Sequence, residues 1–127
     1  MKFTELGLNE RLLKGIEAMG FTDCTDVQAR ALTYTLKGQD VSVQSQTGTG
    51  KTATFLITVF ETLIKPEMHG KQALVIAPTR ELADQIEQEA RQLGQFMDLK
   101  IGSFYGGVGY HHQEKMLSAG VDILICT

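Results

Sequence analysis

Between an alternating polar and apolar run and a helix-forming one, the chain reads Ser45-Gln46-Thr47-Gly48-Thr49-Gly50-Lys51-Thr52, and few folds accommodate such a stretch. Val41, Ser42, Val43, Gln44 and Ser45 ahead of it predict a short strand over 41–45. Behind it, Phe55, Leu56, Val59, Phe60, Leu63 and Ile64 recur at helical spacing. That pattern predicts a helix over 51–64 with a wide apolar face suited to a sheet. A glycine loop between strand and helix turns backbone N–H groups inward, and the helix N-terminus adds the positive end of its dipole. The combination is a cradle for a phosphate. Lys51 is then placed to reach β- and γ-phosphates, and the Thr52 hydroxyl to hold Mg²⁺. Ser45 stands where such loops open with Gly or Ala, and it is small enough to keep the turn. A flexible loop with a chance Gly-Lys-Thr is the simpler account, and the flanking strand and helix argue against it.

The rest of the chain supplies a matching frame. Asn9 predicts a helix N-cap ahead of Leu12, Leu13, Ile16 and Met19, with Gly20 as the stop. Thr25 and Gln28 form a capping-box pattern for a second helix that carries Ala31, Leu32 and Leu36 towards Gly38. Ala73-Leu74-Val75-Ile76-Ala77 is a continuous apolar run, the pattern of a strand buried on both faces. A helix with Leu82, Ala83, Ile86, Ala90 and Leu93 follows Pro78-Thr79-Arg80 and closes at Gly94. Strands are expected over 100–104 and 121–126, with a short helix over 112–117 between them. Four strands alternating with helices from residue 41 onward predict an α/β fold with a parallel sheet flanked by helices.

Composition sets outer limits. The 127 residues suit one domain, and 43% hydrophobic with 21% charged residues is globular composition. A net charge of −3 argues against a broad basic surface that grips nucleic acid by charge alone, while local contacts to phosphate remain open. Cys24 and Cys126 lie far apart with no metal-ligand spacing, which suits reduced thiols. No run is long enough for a signal peptide or a membrane span, so the expected location is cytoplasmic.

In a parallel sheet, function collects in the loops beyond the carboxyl ends of the strands. Three of those loops carry the most unusual residue choices here, 46–50, 78–80 and 105–109, and they predict one shared ligand-binding edge. Taken together, their motifs resemble the first part of the N-terminal RecA-like domain of DEAD-box RNA helicases. Residues 45–52 resemble that family's motif I, and Pro78-Thr79-Arg80-Glu81-Leu82-Ala83 matches its motif Ia. Gly106-Gly107 followed by Gln113 is similar to its double-glycine motif. Residues 3–28 look like its Q motif, with Cys24 where the family prefers Pro and Val27 where it prefers Ile. Cys126-Thr127 resembles the opening of motif Ib.

The resemblance implies ATP and Mg²⁺ as ligands. Phe21 would stack on adenine and Gln28 would hydrogen-bond its edge. Gln46, Thr47, Gly48, Thr49, Gly50, Lys51 and Thr52 would hold the phosphates, with Lys51 and Thr52 serving catalysis and Thr52 the metal. Pro78, Thr79, Arg80, Gly106, Gly107 and Thr127 would contact the backbone of single-stranded RNA without reading sequence. Each has a plainer account: a capping box for Gln28, an N-cap for Thr79, a turn for the two glycines. Tyr105 and Tyr110 read as packing or rim residues, and His111 and His112 as solvated residues at a helix start.

In that family, hydrolysis also needs an Asp-Glu-Ala-Asp motif, a Ser-Ala-Thr motif and an arginine from a second RecA-like domain. None of these occurs in the 127 residues, and Asp84, Glu87 and Glu89 read as a solvated helix face. Strands of those later segments lie, in the family's fold, between the strands of motifs I and Ia. The expectation is therefore a partial, incomplete RecA-like domain, inactive alone and prone to aggregate, that needs the remainder of its parent chain. A different P-loop enzyme and a non-catalytic nucleotide-binding module stay open as alternatives. The first lacks an Asn-Lys-x-Asp run for guanine and leaves residues 78–83 without a role.

Overall fold

The computed structural model describes residues 1–105 and 110–127. A 3₁₀ turn at Phe3–Leu6 leads to α1 (Glu10–Ala18) and α2 (Asp26–Thr35). After α3 (Lys51–Leu63) come a second 3₁₀ turn, β1 (Ala73–Ile76), α4 (Arg80–Leu93), β2 (Ile101–Phe104), α5 (Tyr110–Ala119) and β3 (Ile123–Cys126). The predicted caps are in place. Asn9 Oδ1 accepts from Arg11 N–H at 2.9 Å and Thr79 Oγ1 from Leu82 N–H at 3.1 Å. Thr25 and Gln28 close a reciprocal box.

The three strands are parallel in the order β1-β3-β2, with Ala73, Ile123 and Ile101 in register. The chain crosses from β1 to the far side, then returns to the middle. Because the direction reverses, crossovers of one hand put their helices on opposite faces. Thus α4 covers the face of Val75, Ile123 and Ile125, all buried. On the other face, Met116 of α5 lies against Gly102. Helices α1 and α3 pack on α4, and α2 packs on α3. Phe60, Leu56, Ile57, Ile16 and Leu93 are fully enclosed there. Each such side chain contributes about 1.5–3 kcal/mol by leaving water.

Two expectations about strands are corrected. Residues 41–45 form no strand, and Val41 and Val43 are exposed. A strand needs a partner ladder as well as a pattern, and none of the described residues offers one. Nor is β1 buried on both faces, since Leu74 is 63% and Ile76 72% exposed. The contact of α5 falls on β2, so the β1 end of that face is bare among the described residues. The last helix is also longer than the predicted 112–117, running Tyr110–Ala119.

Candidate nucleotide and nucleic-acid site

Residues 46–50 bend back on themselves ahead of α3. Gly48 and Gly50 both adopt φ 82°, where only glycine is free of strain. Gly50 is the N-cap of α3 and provides no side-chain bond to the helix start. The first N–H groups of α3 are therefore without a side-chain cap, in the arrangement that suits an anion. The loop is closed on itself here. Lys51 Nζ donates to the Ser45 carbonyl, Thr49 Oγ1 donates to the Gln46 carbonyl at 2.9 Å, and the Ser45 and Thr49 hydroxyls are 2.7 Å apart. Lys51 thus rests on a backbone carbonyl of its own loop. Thr52 lies half-buried in the first turn of α3.

Gln28 is buried, 4% exposed, yet its amide aims at the loop. Its Oε1 accepts from Thr25 N–H at 2.9 Å and its Nε2 donates to the Gly50 carbonyl at 3.2 Å. The capping box and the contact with the glycine loop are one arrangement, which among the described residues leaves one proton on Nε2 and one lone pair on Oε1 uncommitted. Thr25 Oγ1 adds a bond to the Thr49 carbonyl at 2.7 Å, a contact that sequence reasoning missed. Phe21 is half-buried, its ring centroid 6.5 Å from that of buried Phe3. Cys24, in the place where the resembling motif has Pro, uses the N–H that Pro lacks, donating to the Met1 carbonyl at 2.8 Å. Burial raises the Cys24 and Cys126 thiols above their usual range, in part offset at Cys24 by the N-terminal charge.

A cleft of about 1050 Å³ opens between the loop and α4. Thr47, Gly48, Gly50, Lys51 and Thr52 line one side, and Ile76, Leu82, Gln85, Ile86 and Glu89 the other. Neither Phe21 nor Gln28 lines it. Glu89 is half-buried, and burial pushes its carboxyl above the usual range. Asp84 accepts from the Tyr105 hydroxyl at 3.0 Å, and Glu87 accepts from Ser103 and pairs with Arg91. The solvated face predicted for these three carboxylates is therefore corrected: α4 is wedged between β2 and the cleft, and each acid meets one or the other.

A second cluster sits at the carboxyl ends of the strands. Pro78, Thr79 and Arg80 follow β1 and are exposed, as is Thr127 after β3. Thr127 N–H reaches the Phe104 carbonyl at 3.4 Å, which brings it beside Tyr105 at the end of β2. The Arg80 guanidinium carbon lies 4.5 Å from the Tyr105 ring centroid. Gly106 and Gly107 lie outside the described residues. Among those described, no cluster of His, Cys, Asp and Glu could hold a metal, and no helix is long and apolar enough to cross a membrane.

A model of the DEAD/DEAH box helicase family matches residues 25–127. The chain belongs to that family. It is 48% identical to the ATP-dependent RNA helicase RhlB of Erwinia tasmaniensis, over 99% of this chain and 31% of that protein. RhlB of Yersinia pestis is equally similar. Two solved structures extend the likeness. A hypothetical ATP-dependent RNA helicase from Sulfolobus tokodaii superposes with a TM-score of 0.84 at 36% identity, over 94% of this chain and 34% of that one. An S. cerevisiae Dbp5 variant bound to RNA and ADP BeF3 gives 0.82 at 33% identity, over 99% and 32%. The three-stranded sheet is thus part of a RecA-like helicase domain, and the chain spans about a third of the length of the curated relatives it matches.

Proposed function

We propose that this chain is the ATP- and RNA-binding first part of an ATP-dependent RNA helicase whose full-length form couples ATP hydrolysis to RNA unwinding. The observation that carries the proposal is the uncapped start of α3 behind two left-handed glycines, with Lys51 on the same loop. On binding a triphosphate, the N–H groups of Gly48, Thr49, Gly50, Lys51 and Thr52 take the phosphate oxygens, with Gln46 and Thr47 shaping the loop's entrance. Lys51 moves its ammonium from the Ser45 carbonyl to the β- and γ-phosphates. Thr52 fits Mg²⁺ by its hydroxyl and its place on the cleft wall, and a bound Mg²⁺ would neutralise charge developing on the phosphates. Gln28 offers its two uncommitted valences to an adenine edge, and Phe21 supplies a ring for stacking once the base is seated.

Pro78, Thr79, Arg80, Gly106, Gly107 and Thr127 form the track for single-stranded RNA, held by its phosphates without regard to sequence. Support comes from the exposed edge that joins residues 78–80 to Thr127, and from the RNA bound to the Dbp5 relative. The free edge of β1 and the unpaired 41–45 segment are where the remainder of the full-length chain adds strands and the carboxylates of hydrolysis. The 127 residues alone then bind without turning over, and the cytoplasm is the compartment in which the full-length protein works. In the full-length protein, Lys51→Ala removes most RNA-stimulated ATP hydrolysis, measured as phosphate release. Turnover equal to wild type would overturn the assignment of the phosphate loop.

A further inference from the structure

We propose that Tyr105 is a positioning residue for RNA binding, its ring acting as a platform that holds Arg80 in a phosphate-ready posture. The inference rests on the reading of Arg80 as an RNA-phosphate contact. Arg80 is the first residue of α4, so its charge sits at the unfavourable positive end of the helix dipole. An exposed arginine there has no reason of its own to stay over the carboxyl edge of the sheet. The ring of Tyr105 gives it one. The guanidinium carbon lies 4.5 Å from the ring centroid, inside the range of a cation–π contact.

The platform is itself fixed. The Tyr105 hydroxyl donates to Asp84 Oδ1 at 3.0 Å, one helical turn beyond Arg80, and the Tyr105 carbonyl accepts from Gln113 Nε2 at 3.5 Å. Tyr105 thereby touches both Asp84, by its hydroxyl, and Arg80, by its ring. Among the described residues the ion pairs are Arg11–Asp98, Arg30–Asp26 and Arg91–Glu87, and Arg80 joins none of them. A contact with the ring spends no N–H on a carboxylate, so the fork stays available, and that fork is what a phosphate recognises. Had Asp84 paired with Arg80 directly, the fork would be neutralised. Tyr105 thus has a partner for its ring in Arg80 and a partner for its hydroxyl in Asp84.

The test measures binding of a labelled single-stranded oligoribonucleotide by the full-length protein at several salt concentrations. Arg80→Ala is expected to weaken binding and lower the salt slope by about 0.7, one phosphate of a single strand. Tyr105→Leu is expected to weaken binding about two- to fivefold, the range of an exposed cation–π contact. Tyr105→Phe keeps the ring and most of the affinity. In an Arg80→Ala background, Tyr105→Leu adds nothing. The proposal is overturned if Tyr105→Leu leaves affinity unchanged, if Tyr105→Phe is as weak as Tyr105→Leu, or if the loss persists undiminished without Arg80. Should Tyr105→Leu fail to fold, Asp84→Ala replaces it, with a smaller loss that must likewise vanish in the Arg80→Ala background. If Arg80→Ala alone leaves binding unchanged, the RNA reading of Arg80 falls first and the proposal with it.

Discussion

The side-chain amide of Gln28 occupies the space where a Cβ on Gly50 would stand: Nε2 is 2.2 Å from that position and bonded to the Gly50 carbonyl at 3.2 Å. The glycine is therefore required twice, for its φ of 82° and for this approach. Gly48 shares the conformation but has nothing within 4 Å of its Cβ position. Gly48→Ala should cost about 1–2 kcal/mol of loop strain. Gly50→Ala should cost about 1–3 kcal/mol more, because it strands a buried amide. Nucleotide affinity of the full-length variants measures the difference. Adding Gln28→Ala should make Gly50→Ala milder, since the obstruction is gone, and an unchanged cost would mean that backbone strain alone governs the site.

A second glycine sets a helix crossing. A Cβ on Gly15 would lie 1.9 Å from the Leu93 carbonyl oxygen, a backbone atom that cannot step aside. Gly→Ala inside a helix ordinarily gains about 0.5–1 kcal/mol. Here overpacking between α1 and α4 costs about 1–3 kcal/mol or more. Gly15→Ala should thus lower the thermal midpoint, whereas Gly20→Ala, with open space around it, should suffer only its positive φ.

The features that the sequence makes legible are the local ones. Asn9, Thr25 and Thr79 cap helices because their side chains bond within three residues along the chain. The loop at 46–50 is legible because its chemistry is contiguous. Residues 41–45 carry a strand pattern, yet strand formation depends on a distant partner. Tyr105 and Asp84 are 21 residues apart, and no spacing rule connects them. Nothing local marks Glu89 as half-buried either, because the cleft wall arises from the approach of α3 to α4. Gly15, without a side chain in the middle of α1, is a local sign of a close crossing that the helical spacing of Leu12, Leu13, Ile16 and Met19 does not convey.

Glu89 yields a pH dependence with a definite sign. Burial raises its carboxyl pKa in the folded state above the value in the unfolded chain. The folded state thus binds the proton more tightly, and ionised Glu89 detracts from stability. That penalty is full above the folded pKa and fades as pH falls through it. Glu89→Gln should raise the midpoint of the 127-residue chain at pH 7.5 by a small amount, and the gain should shrink towards pH 4. The partial exposure of Glu89 keeps the effect at a few tenths of a kcal/mol, by about the rule for screened charges. A gain that grows on acidification would contradict the assignment.

The uncovered face of β1 governs how the 127 residues behave by themselves. Leu74 and Ile76 present two large apolar side chains on one face of a strand, with exposed Val41 and Val43 on the unpaired segment beside the cleft. An open strand with an apolar face is a template for association with another chain. The 127-residue chain should therefore self-associate, seen as a concentration-dependent rise in mass by light scattering. Ile76→Lys places a charge on that face and should shift the chain towards monomer, without the cavity penalty of a core substitution, because Ile76 is 72% exposed. The same change in the full-length protein should be harmful, since segments packed on that face would bury the lysine. A monomeric wild-type 127-residue chain with a cooperative, high-temperature transition would show that the bare face needs no cover.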